Sequence, residues 1–276
     1  MYYLNHILCT FFPQLVCVVC MQYIYRRGGL IWLSQAATMG IGAYVYSLGV
    51  QNNISFFLLL PVGGILAGFS SMILFPFLGK KNIKFVLGSL IIQLIFTAFC
   101  KNSIVLGGET GISGLTTPVL FLNLNSGMST FFLLFDVILC ITLIYSCKHL
   151  ENSVNDLRLK AIRDNMNFAL NMGIDVKLIQ TAFLFAASFL TGIAGVLVAI
   201  NRGGAAPSDF DITKSIMFLS ASALAWDDST NSSLVSGLFL LLTMEILKFL
   251  YIRPETELVL YGILIIFVLG RGNHNE

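Results

Sequence analysis

The sequence predicts an all-α, polytopic membrane protein of about nine transmembrane helices, and three observations carry that reading. Only 11% of the 276 residues are charged and 57% are hydrophobic, against about 25% charged in an ordinary soluble domain. Between Arg27 and Lys80 there is no Asp, Glu, Lys or Arg, a stretch too long for one crossing of about 20 residues. The mean hydropathy is +0.85. In hydrocarbon the backbone polar groups are satisfied inside helices, and outward apolar side chains carry no penalty. The same composition excludes a disordered tail, a nucleic-acid binder and most soluble enzymes. A net charge of +2 gives no reason for a polyanionic partner.

The elements follow in order. Residues 6–25 form the first span. No Lys or Arg precedes Arg26, so this segment lacks the basic flank of a secretory signal and reads as a retained helix with Arg26 and Arg27 on the cytoplasmic side. The break at Gln51-Asn52-Asn53 divides the next run into spans 30–50 and 54–78, and further spans cover 85–100, 128–147 and 178–200. The segments 212–226 and 258–270 are short for crossings, and 234–251 carries Glu245 and Lys248. With the N-terminus outside, Arg26, Arg27, Lys80, Lys81, Lys84, Lys148, Arg158, Lys160, Arg163, Lys177 and Arg271 lie in the cytoplasm. Lys101, Arg202, Lys214, Lys248 and Arg253 lie outside, so the bias runs in the positive-inside direction. The chain is one domain, 1–276.

The longest polar loop, 149–177, is cytoplasmic. Leu159, Ile162, Met166, Ala169 and Met172 recur at steps of three or four, which predicts one amphipathic helix, capped by Asn155 or Asp156 and ended by Gly173. Such a helix can lie on the headgroups or dock a cytoplasmic partner. Span two offers a small-residue surface at Ser34, Ala36, Ala37, Gly40, Gly42 and Ala43, and span six does so at Ala182, Ala186, Ala187, Gly192 and Gly195. Small residues let membrane helices approach closely. Gln35 is the polar exception, facing a cavity or bonding to a neighbouring helix. Outside, Gly107, Gly108, Gly111 and Gly114 with Pro118 prevent a continuous helix, and the irregular backbone forms a tight loop or offers N–H groups to a carboxylate. Asp136, in span five, has no local partner. It can carry a proton, line a pathway or bond to a neighbouring helix. Glu245 has Lys248 one turn away.

Six cysteines include the pair Cys17 and Cys20, which reads as two small apolar residues on one helix face; His6, His149 and His274 are too scattered to complete a metal site. The chain has no G-x-x-x-x-G-K-[ST] sequence, so it does not itself hydrolyse ATP by the P-loop route. A stand-alone carrier would want intramembrane charges or an inverted repeat. A respiratory-complex subunit would want haem or metal ligands.

Four segments, in order, resemble the LivM-type permease subunits of branched-chain amino acid ABC importers. They are Leu33-Ser34-Gln35-Ala36-Ala37 with Gly40-Ile41-Gly42-Ala43-Tyr44; Gly107-Gly108-Glu109-Thr110-Gly111-Ile112-Ser113-Gly114; Lys160-Ala161-Ile162-Arg163-Asp164-Asn165 with Ala169-Leu170 and Gly173-Ile174; and Ala182-Phe183 with Ser188-Phe189-Leu190-Thr191-Gly192-Ile193-Ala194-Gly195. The likeness covers about residues 28–270. It departs at Trp226-Asp227-Asp228-Ser229-Thr230-Asn231, where the family has a G-G-x-G-[ST] turn, and in one fewer N-terminal helix.

The resemblance implies a permease subunit and no enzyme, with no cofactor and no metal. It places the chain in a bacterial inner membrane, partnered by ABC ATPase subunits, a second, LivH-like permease subunit and a substrate-binding protein. It makes 149–177 a coupling loop that meets the ATPase through Lys160, Ala161, Ile162, Arg163, Asp164, Asn165, Met166, Ala169 and Gly173. Arg163 and Asp164 would be its polar contacts; Ile162, Met166 and Ala169 its apolar ones. Gln35, Gly40, Gly42, Gly107, Gly108, Gly111, Gly114 and Asp136 are the expected pathway. Leucine, isoleucine or valine is the implied substrate, with urea or a short amide as the alternative.

Overall fold

The structure is a computed structural model and describes residues 2–79, 82–115, 128–151, 153–249 and Val259. The described residues fold as helices: α1 (Tyr2–Gln22), α2 (Gln35–Gln51), α3 (Phe56–Ser71), α4 (Asn82–Asn102), α5 (Met128–Leu150), α6 (Val154–Asp164), α7 (Met166–Asn171), α8 (Val176–Arg202), α9 (Ile212–Leu224) and α10 (Thr230–Phe249). A π turn, Tyr23–Arg27, extends α1, and a 3-10 turn, Met72–Phe77, extends α3. Eight of the nine expected spans coincide with α1–α5 and α8–α10. The ninth, 258–270, lies outside the described residues apart from Val259, as do Lys80, Lys81, Pro118 and the side chains of His6, Cys9, Glu245 and Lys248. By length and composition, Phe56–Phe77, Ile83–Asn102 and Val176–Arg202 are each sufficient to cross a membrane.

The core forms around α8. Of its most apolar window 78% is buried, against 44% for α3 and 33% for α4. The small residues make this possible. A Cβ on Gly42 would sit 1.9 Å from the Gly192 carbonyl oxygen, and one on Gly195 would sit 1.9 Å from that of Met39. Three backbones, α2, α3 and α8, therefore meet with no side chain between them at these points. Cys17 and Cys20 are buried on α1, with the Cys17 Sγ 3.9 Å from the Met39 Sδ. The outer faces of α3 and α4 expose Phe57, Leu58, Ile65, Ile91 and Ile95. An apolar face this continuous is stable against lipid and not against water.

Three expectations change. The loop 149–177 holds two helices, because Asn165 is extended (φ −152°, ψ 98°) and its side chain accepts from the Phe168 N–H at 3.0 Å. Asn165 thus ends α6 and caps α7. The cap of α6 is Ser153, which accepts from the Asp156 N–H, and not Asn155 or Asp156. Span two becomes helical only at Gln35; residues 28–34 run without helix into the molecule, with Leu30 and Trp32 buried.

The ends of the spans sort by the predicted side. Segments 26–29, 149–176 and 223–231 gather at one end through Arg26, Arg27 and Arg163. Residues 107–115 and 202–211 gather at the other, where Ile112 and Ala205 form an antiparallel bridge and Arg202 pairs with Asp209.

Candidate functional site: an ionic hub and a mid-depth helix junction

At the arginine-rich end, the π turn brings two consecutive arginines into one buried cluster. Arg27 is 2% exposed. Its Nη1 donates to Asp156 Oδ1 at 2.9 Å, its Nη2 to Glu151 Oε1 at 2.8 Å and its Nε to the Asp228 carbonyl at 2.8 Å. Its guanidinium lies 4.4 Å from the centre of the Tyr23 ring. Asp156 is fully buried and also takes the Lys160 ammonium at 3.2 Å, one helical turn on. Burying these charges is favourable only because each meets a partner.

A second layer sits on the first. Asp228 receives Arg163 Nη1 at 2.8 Å and Arg26 Nε at 3.3 Å, on different carboxylate oxygens. Arg26 also donates to the carbonyls of Ala223 and Ala225, at the end of α9, and Arg163 donates to the Arg26 carbonyl and to Asp164 at 2.9 Å. Burial pushes the Asp228 carboxyl upward, but the Arg163 and Arg26 guanidiniums outweigh it and hold the group below the usual carboxylate range. Arg163 loses some solvation, and Asp228 and Asp164 more than restore its preference for the charged form. Asp227, held by the Ser229 and Ser232 hydroxyls and the Ser229 N–H, is lowered to about 2.

The residues expected to couple to an ATPase divide by this geometry. Ile162 and Ala169 are buried with Leu159, Val176 and Ile179, joining α6 and α7 to the base of α8, and Met166 packs against that cluster. Ala161 is half-buried. Lys160 and Arg163 are engaged within the chain, Asp164 and Asn165 are exposed, and exposed Gly173 (φ +77°) ends α7. The apolar side chains left facing outward on α6, α7 and the turn after them are Val154, Leu157, Leu170, Phe168 (58% exposed) and Met172 (67%). Outward apolar contact therefore moves from Ile162 and Ala169 to these residues. The residues that sequence reasoning missed are Arg26, Arg27, Glu151, Asp156 and Asp228. The signals were present: a double arginine and a double aspartate in a chain with only 14 acidic residues.

The expected pathway residues sit at three places in the described structure: the start of α2, the far-end glycine loop and α5. Gln35 starts α2 beside Cys17, donating to its carbonyl at 2.7 Å, and Cys17 lies about 15 Å along α1 from Arg27 at 1.5 Å per residue. The start of α2 is thus near the middle of a hydrocarbon layer about 30 Å thick. Its first N–H groups are satisfied by side chains from other helices: Ala36 N–H by Ser215 Oγ at 2.9 Å, Ala37 N–H by Gln93 Oε1 at 2.8 Å. The Gln93 amide continues to the Phe210 carbonyl at 2.7 Å. Ser89 Oγ takes the Leu33 N–H at 3.2 Å. Irregular backbone survives at this depth because protein supplies its partners. The Gln35 Oε1 is buried without one.

Gly40 packs under Phe96 and Phe210, and Gly42 on Gly192. Gly107, Gly108, Gly111 and Gly114 all adopt positive φ and shape the far-end loop, where the N–H groups of Gly107, Gly108, Gly111 and Ile112 are already bonded to carbonyls. Asp136 is buried on α5; Asn201 of α8 reaches its Oδ2 at 3.4 Å, and its Oδ1 has no partner among the described residues. An open apolar groove of about 660 Å³ lies elsewhere, between Phe69, Met72 and Phe75 on one side and Leu178, Thr181 and Phe185 on the other.

Apolar outer faces, a helix that starts at mid-depth and a two-helix projection locked to one end define a polytopic membrane protein. A family model described as the permease component of a branched-chain amino acid transport system matches residues 3–269, and the chain belongs to that family. No curated protein and no solved structure matches the chain.

Proposed function

We propose that the chain is the membrane-spanning subunit of an ATP-driven importer for branched-chain amino acids in a bacterial inner membrane, working by alternating access. Its partners in this reading are ATPase subunits, a second permease subunit and a substrate-binding protein. The observation that carries it is the α6–α7 projection. It lies beyond the spans on the side marked by the positive-inside bias, is braced internally by Arg27 and Asp156, and turns Phe168, Leu170 and Met172 outward. Exposed apolar side chains on a rigid polar segment are what a groove in a partner needs.

The physical role follows. ATP binding draws the ATPase subunits together and moves the projection with them. The ATPase must bind the two access states with different affinity, because equal affinity shifts nothing. An amino acid with an apolar side chain suits a pathway walled by glycine, alanine and serine. Uptake by the purified complex in vesicles tests the substrate. Leucine, isoleucine and valine are expected to accumulate and to compete with one another. Accumulation of urea or acetamide in their place overturns the amino-acid assignment.

A further inference from the structure

Asp228, in the turn between α9 and α10, is the acceptor at the centre of the hub. One carboxylate oxygen holds Arg163, the last basic residue of α6, and the other holds Arg26. Arg26 in turn binds the Ala223 and Ala225 carbonyls, which finish α9. The helix α9 has 13 residues and so spans about 20 Å, roughly two-thirds of a crossing. Its upper part presents Ser215 to the Ala36 N–H, at the mid-depth start of α2. A continuous set of contacts therefore runs from the coupling segment to the middle of the membrane.

We propose that Asp228 is a positioning residue for transport: it clasps α6 to α9, so that α9 carries the displacement of the coupling segment to the start of α2. This rests on the reading of the chain as an ATP-driven permease. The junction at Ala36 has the property a switch needs. If α9 shifts, Ser215 leaves the Ala36 N–H, and a buried unpaired donor is unstable until water or solute replaces the serine. In this proposal the junction has two arrangements, the one bonded to Ser215 that the structure shows and one opened to a new partner. Both ends of α9 are held by hydrogen bonds, whereas its body packs through the buried apolar Met217, Phe218 and Ala221. A contact chain becomes a coupling path only when breaking it changes coupling.

The test uses the whole complex in vesicles and reads solute transported per ATP hydrolysed. Asp228→Asn removes the charge that holds Arg163 and Arg26. It is expected to hydrolyse ATP and bind the ATPase as the unmodified chain does, while transporting about tenfold less per ATP. Asp228→Glu is expected to recover at least half of the ratio. If Asp228→Asn keeps the unmodified ratio, the clasp is overturned. Should Asp228→Asn fail to fold, Ser215→Ala at the far end of α9 carries the test, with the same loss expected and an unchanged ratio overturning the proposal. A further readout does not depend on transport. Spin labels at Arg158→Cys and Trp226→Cys are expected to keep one narrow distance in the unmodified background and a broad one with Asp228→Asn; equal distributions overturn the clasp. Failure of ATP-driven transport with the narrow distance intact falls on the proposed function and not on the clasp.

Discussion

Arg27 is the residue on which the arginine-rich end is assembled. It is buried, and it answers Asp156, Glu151 and the Asp228 carbonyl with three different nitrogens. Replacing it by methionine keeps much of the volume, takes the cation from Glu151 and leaves Asp156 with Lys160 alone. Loss of one partner of a buried pair costs about 3–5 kcal/mol, so Arg27→Met should lower the unfolding temperature of the purified protein sharply, whereas Arg158→Met, on the exposed face of α6, should leave it within the error of the measurement. The glycines separate by the same logic. A Cβ at Gly42 meets a backbone oxygen that cannot move aside, whereas one at Gly114 meets nothing within 4 Å among the described residues and bears its positive φ. Gly114→Ala should cost about 1–2 kcal/mol; Gly42→Ala should cost more, read as loss of monodisperse protein after extraction.

At the scale of elements, the spans were legible because each is a charge-free run of the right length, and a bilayer imposes that rule residue by residue. The internal start of α2 was not legible. Residues 28–34 are as apolar as the helix that follows, so nothing local marks where helix begins; the partners that permit the irregular stretch, Ser89, Gln93 and Ser215, come from other spans. The break in the coupling segment has a local cause, the side chain of Asn165, but the apolar recurrence through Met166 and Ala169 continues across it and masks it. The exposed row on α7 yields a prediction at this scale. Phe168→Asp should weaken co-purification of the ATPase by at least tenfold while leaving the thermal stability of the permease unchanged, since Phe168 touches solvent and not the core. The buried Ile162 should behave oppositely, with Ile162→Asp lost at the folding step.

For the molecule as a whole, the count of positive charges on each side was enough to sort the span ends, and the structure brings the same segments together at each end. The double arginine and the double aspartate stand out in the sequence, but their pairing was not legible, because the ion pairs join residues far apart along the chain, Arg27 with Asp156 and Arg163 with Asp228. Pattern reasoning reaches one or two turns; it does not reach across a bundle. Sidedness can be measured: Ser113→Cys, in the glycine loop, should react with an impermeant thiol reagent added outside intact cells, and reaction from the cytoplasmic side alone would invert the topology.

The central claim is that α6 and α7 are moved by a separate ATP-hydrolysing subunit. The most direct measurement is leucine uptake into vesicles holding the permease pair and binding protein, with and without the ATPase. Accumulation only when both ATPase and ATP are present is the predicted result; equal uptake by the membrane subunits alone would contradict it.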